Sequence, residues 1–116
     1  APERLWACHS SLRTLAAWRA QAEDIRLVLS TRRDRLGNDA AARARAAGVD
    51  AINLRLTDWT TEAVAEVHDE GLRAFGWDAQ SERALAAAVA LGLDGVYSDH
   101  VRRMMQALTA DQAGER

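Results

Sequence analysis

Several things are scarce in this chain of 116 residues. It has one cysteine, Cys8, no lysine, and only one phenylalanine and one tyrosine beside four tryptophans. A single cysteine excludes an internal disulfide, so nothing suggests an oxidising compartment. No run of about 18 apolar residues and no signal-peptide apolar core is present. The expectation is a protein without a transmembrane segment, located in the cytoplasm. Charge of one sign is missing too: fifteen basic residues, all arginine, face seventeen acidic ones, for a net charge of −2. Such a balance provides no global field for nucleic acid or an anionic membrane. There is also no Gly-rich phosphate loop, no cysteine pair at zinc spacing and no Gly-x-Ser-x-Gly elbow.

What is present is globular. Hydrophobic residues make up 48% and charged residues 28%, and the length suits one domain with one core. After the apolar run Arg4 to Cys8, Ser10 and Ser11 precede a helix over Leu12 to Gln21, with Leu12, Leu15, Ala16 and Trp18 at helical spacing. Ile25 to Thr31 reads as a strand, Arg32 to Asn38 as a polar turn, and Asp39 to Ala47 as a helix stopped by Gly48. Ala51 to Leu56 is the next strand. Thr57 to Thr61 reads as a helix start, and that helix runs to Glu70 before Gly71. Leu72 to Trp77, a helix over Glu82 to Leu91 capped by Ser81, and Leu93 to Ser98 follow. A last helix over Val101 to Leu108 completes five βα units.

Repeated βα units of this length imply an α/β fold with a parallel sheet, because parallel neighbours need a crossover. An open doubly wound sheet and a piece of a (β/α)8 barrel both satisfy the pattern. In either, ligands bind at the carboxyl ends of the strands. The residues just past the strands are Cys8-His9-Ser10, Thr31-Arg32-Arg33, Thr57-Asp58-Trp59, Trp77-Asp78-Ala79-Gln80 and Ser98-Asp99-His100.

His9, Asp78, Asp99 and His100 have the chemistry for acid-base work or a metal site; turn and capping chemistry is the plainer reading, with Asp99 as a helix cap. Arg32 and Arg33 offer forked donors to a phosphate, or a solvated turn in which Asp34 pairs with one of them. Trp77 at a strand end suits an apolar ligand wall. Trp18 and Trp59 read as packing residues, and Trp6 as filling for a core or barrel. His68 and Asp69 lie on a helix away from the strand ends. Cys8 and His9, adjacent on a strand, point to opposite faces and make a poor dyad.

The run Ala63 to Asp99, with Trp77-Asp78-Ala79-Gln80 and Gly92-Leu93-Asp94-Gly95-Val96-Tyr97-Ser98-Asp99, resembles the C-terminal part of the glycerophosphodiester phosphodiesterase family. The corresponding family motifs are Trp-Thr-Val-Asn and Gly-Val-Asp-Gly-Ile-Ile-Thr-Asp. The stretches around Trp6 to Arg19 and Ile25 to Arg33 resemble earlier strands of the same family. The resemblance implies a (β/α)8 barrel that uses a divalent metal, Ca²⁺ or Mg²⁺, to hydrolyse glycerophosphodiesters to glycerol 3-phosphate and an alcohol.

The family's His-Arg motif, Glu-x-Asp pair, second catalytic His and further metal Glu belong to N-terminal strands and do not occur in this sequence. The chain then corresponds to strands four to eight: a partial barrel domain over residues 1–108 and a flexible polar tail over 109–116. The metal ligands and catalytic residues are expected elsewhere, in the missing half of a longer enzyme. What the resemblance carries over is substrate-side: Trp77 lining the cleft and Asp99 at the mouth of the last strand. His9, where the family usually has serine, Arg32, and Gln80, where it has asparagine, complete the substrate-binding candidates. Five units cannot close an eight-strand barrel. The alternative expectation is therefore a non-catalytic βα-repeat module that pairs with a second copy or another chain.

Overall fold

The computed structural model describes residues 6–35, 39–77 and 81–97. Asp78, Gln80, Asp99, His100, the last helix and the tail over 109–116 lie outside the described residues. Five strands, β1 (Trp6–His9), β2 (Arg26–Ser30), β3 (Ala51–Arg55), β4 (Arg73–Trp77) and β5 (Gly95–Tyr97), alternate with four helices. These are α1 (Leu12–Gln21), α2 (Ala40–Ala46), α3 (Thr61–Asp69) and α4 (Glu82–Leu91).

Side-chain caps begin three of the helices. Ser11, Thr60 and Ser81 hold extended backbone, and their hydroxyls accept the N–H of Thr14, Ala63 and Ala84, which satisfies an otherwise orphaned first-turn donor. Glycine at positive φ follows α2, α3 and α4: α4 closes on Gly92 at φ 84°, and Leu93 N–H then reaches back to the Ala88 carbonyl, the six-to-one bond of a Schellman turn. The expected helix start over Thr57 to Thr61 is instead two features. A 3-10 turn spans Leu56–Asp58, and α3 begins only at Thr61, where the Thr60 hydroxyl supplies the cap.

All neighbouring strands are parallel, in the order β1-β2-β3-β4-β5. A doubly wound sheet reverses its order at a switch point, and no reversal occurs among the described strands. Each crossover steps in the same direction, and crossovers of one hand then place every helix on one face. The packing follows that rule. Leu27, Leu29, Ile52, Leu54 and Ala74 of the sheet join Leu15, Ala44, Val64 and Val67 of the helices in one buried core. The fold is α/β, a stretch of a (β/α) barrel.

The other face corresponds to a barrel's interior. Strand alternation and register put Cys8, Val28, Ala51 and Arg73 in one row and Ser30, Asn53, Phe75 and Gly95 in the next. Val28, Ala51 and Phe75 form a small apolar cluster here. Trp6 lies with its ring edge-on to Phe75 at 5.4 Å and the Arg73 guanidinium 5.8 Å above it. It sits at the start of β1 and remains 39% exposed, at the margin of a face where Val28 and Ala51 are fully buried.

At the amino ends of the strands, two aspartates tie neighbouring units together. Asp50 and Asp94 each follow a helix-ending glycine by two residues. The Asp50 carboxylate accepts Leu27 N–H at 2.9 Å and the Arg19 guanidinium at 2.7 Å. Asp94 accepts Ala74 N–H at 2.8 Å and faces His68 Nε2 at 2.7 Å. This Gly-x-Asp device secures the entry to β3 and β5 and puts His68 to structural use.

Candidate functional site

The carboxyl ends of the strands gather many polar side chains, because the chain leaves the sheet there and runs over the surface. Ser10 follows β1. Ser30 ends β2, and Thr31, Arg32 and Arg35 follow it. Trp77 ends β4. Together these six line a cleft of about 300 Å³. The backbone that presents them is well held: Thr31 N–H donates to the Asn53 carbonyl at 3.0 Å, and Arg35 N–H to the Arg32 carbonyl at 2.9 Å. That last bond closes the 3-10 turn Arg33–Arg35, which brings Arg32 and Arg35 to the same opening.

Arg32 Nε stands 3.5 Å from Asp34 Oδ1, with both side chains more than 60% exposed. A solvated pair of that kind contributes about 0–1 kcal/mol, so a ligand anion can displace it at little cost. Trp77 is 37% exposed, and the Arg55 guanidinium lies 5.3 Å over its ring, a cation–π contact that steadies the indole as a wall. A second, more open depression of about 480 Å³ is lined by Arg32, Arg33, Asp34 and Asp58. Its mixed charge gives it no clear preference for an anion.

Beneath the cleft, Ser30 and Asn53 face each other across the β2–β3 pairing, and Asn53 Nδ2 donates to Ser30 Oγ at 3.1 Å. Asn53 is only 5% exposed, and its Oδ1 has no hydrogen-bond partner among the described residues. An empty buried acceptor costs about 1–3 kcal/mol. Nothing in the sequence marks Asn53, since its pairing with Ser30 depends on strand register.

Of the residues expected to bind substrate, the structure brings Trp77 and Arg32 to one cleft. His9 shares their level of the sheet but belongs to the helix-facing side. Its Nδ1 accepts Ser11 N–H at 2.9 Å, and its ring meets Trp18 edge-on at 5.4 Å. Ser10, Ser30, Thr31 and Arg35 line the cleft without having been singled out as binding residues. Gln80 and Asp99 lie outside the described residues. Cys8 is exposed on the inner face, away from His9, and partial burial raises its thiol pKa above the ordinary value.

Among the described residues no group of three His, Cys, Asp or Glu side chains comes together to hold a metal ion. The donor set in the cleft is cationic and hydroxylic, which suits an anion and not a divalent cation. No helix among the described residues is long and apolar enough to cross a membrane.

No family model matches this chain, and no curated protein does. Solved structures share its fold. A phosphodiesterase of Oleispira antarctica, in complex with its product sn-glycerol-3-phosphate, matches with a TM-score of 0.80 and 14% identity, over 93% of this chain and 43% of that one. A Silicibacter pomeroyi DSS-3 protein assigned as a glycerophosphoryl diester phosphodiesterase matches at 0.75 with 24% identity, over 89% and 37%. A Galdieria sulphuraria protein with the corresponding assignment matches at 0.74 with 19% identity, over 90% and 43%. The chain spans 37–43% of the length of these three structures.

Proposed function

We propose that this chain forms the substrate-side wall of a hydrolase of the glycerophosphodiester phosphodiesterase type, and that its cleft receives the phosphate group. The observation that supports this most is the cleft itself. Two arginines, Arg32 and Arg35, and three hydroxyls, those of Ser10, Ser30 and Thr31, line one opening with Trp77 at the carboxyl ends of a barrel-type sheet. Barrel enzymes bind substrates at that end. Guanidinium forks pair with phosphate oxygens in two-point geometry, and the indole face offers packing to the carbon skeleton of a glycerol or alcohol group.

In this reading the chain binds and orients. The groups that activate water and protonate the leaving alcohol, and the ligands for a Ca²⁺ or Mg²⁺ ion that would stabilise charge on the phosphate, come from strands outside this chain. The preference for a partial enzyme is supported by the share of each solved structure that the chain spans, and by a donor set that fits an anion.

Titration calorimetry with glycerol 3-phosphate and glycerophosphocholine tests both parts. Binding of either ligand, weakened by salt and lost in an Arg32→Ala, Arg35→Ala variant, is the expected result. Failure of wild type to bind would remove the phosphate reading. Hydrolysis of glycerophosphocholine by the 116-residue chain alone, with Ca²⁺ or Mg²⁺ added, would overturn the division of labour.

A further inference from the structure

Asn53 is poorly explained by packing. It sits on the inner face between Ala51 and Arg55 of its own strand, paired in register with Ser30 and Phe75. It is 5% exposed and its Oδ1 is unpartnered among the described residues, while its Nδ2 donates to Ser30 Oγ. An apolar side chain would fill the same place without an empty buried acceptor, and such groups persist in native structures for identifiable reasons.

The direction of that one bond suggests the reason. A serine hydroxyl has one proton to donate and two lone pairs to accept with. Asn53 Nδ2 occupies a lone pair, so the Ser30 proton is left for an acceptor on another side. Ser30 lines the cleft beside Arg32 and Arg35, where an anion would be that acceptor.

We infer that Asn53 is a positioning residue: it orients the Ser30 hydroxyl as a donor into the cleft, so that Ser30 reads an oxygen of a bound phosphate. The inference rests on the phosphate reading of the cleft. Asn53 itself touches no ligand and acts through Ser30. It trades fold stability for a pre-oriented donor, which lowers the ordering cost of binding.

A double-mutant cycle separates this role from a structural one. Affinity for glycerol 3-phosphate, and for inorganic phosphate as a second probe, is measured by calorimetry at fixed pH and salt. The proteins are wild type, Asn53→Ala, Ser30→Ala and the double variant, each checked by circular dichroism and thermal melting. Asn53→Ala is expected to weaken phosphate binding about threefold to tenfold, the loss of one oriented hydrogen bond, while leaving the melting temperature unchanged or higher. In the Ser30→Ala background the same substitution is expected to have no effect on affinity. Equal weakening in both backgrounds would show an indirect structural effect and overturn the inference, as would unchanged affinity of Asn53→Ala. Absence of binding by wild type would instead overturn the phosphate reading beneath it.

Discussion

Asp50 and Gly48 show how much single positions carry here. The Asp50 carboxylate accepts Leu27 N–H and the Arg19 guanidinium, and meets Arg26 at 3.3 Å. It thereby joins α1, β2 and the entry to β3. Hydrogen bonds to charged groups contribute about 1.5–3 kcal/mol each, so Asp50→Ala is expected to destabilise the fold by about 2–3 kcal/mol, read from the denaturant midpoint. Asp94→Ala is expected to lose less, since its side-chain partner is one half-exposed histidine. Gly48 and Gly71 both hold positive φ, but their surroundings differ. A Cβ on Gly48 would lie 2.5 Å from Arg19 Cγ, whereas one on Gly71 would meet nothing within 4 Å. Gly71→Ala should cost only the backbone penalty of about 1–2 kcal/mol. Gly48→Ala should cost more, because it displaces the arginine that donates to the Gly48 carbonyl and to Asp50. Equal melting temperatures for the two variants would refute this ordering.

At the scale of elements, the parts of the fold that depend on near neighbours in sequence are the ones the sequence makes legible. The expected bounds of α1 and α4, Leu12 to Gln21 and Glu82 to Leu91, match the structure, because serine caps and helical periodicity act within a few residues. Strands are less sharply bounded. Ile25 to Thr31 shortens to Arg26–Ser30, since a strand ends where its neighbour stops pairing. Trp59 shows the joining of elements. It precedes α3, is 4% exposed, and its Nε1–H donates to the Phe75 carbonyl of β4 at 2.7 Å. Trp59→Phe removes that donor from a buried site and is expected to cost about 1–3 kcal/mol. Trp6, Trp18 and Trp77 are each more than one-third exposed, so loss of Trp59 should also shift the fluorescence emission to longer wavelength.

For the whole molecule, the decisive fact is that the described sheet has two edges and an inner face whose centre is buried but whose two tryptophans are exposed. β1 and β5 each pair on one side only among the described residues, and Trp6 and Trp77 remain exposed on the inner face. Unpaired strand edges and exposed apolar patches promote association. Light scattering is expected to show the chain associating as its concentration rises, with Trp6→Arg reducing the effect. A monodisperse monomer across the range would count against both self-association and an adhesive inner face. Such association is compatible with a chain whose natural neighbour is the remainder of a barrel, and glycerol 3-phosphate binding distinguishes the phosphodiesterase reading from that of a simple pairing module.

The sequence by itself determined the alternation of five strands with helices, the caps, the left-handed glycines and the polar character of the strand ends. Each of these follows from local sterics, hydrogen bonding or periodicity. The βα pattern left a doubly wound sheet and a barrel both open and the family resemblance implied the barrel; the strand order of the tertiary structure decided it, because order is a matter of which distant segments pair. The same long-range register decided which polar residues meet: Ser30 and Asn53 lie 23 positions apart, and Trp77 reaches the cleft of Ser10 and Arg32 from the fourth strand. It also turned His9 toward Trp18 and Ser11, a choice made by the packing of α1 on β1, which no spacing in the chain expresses.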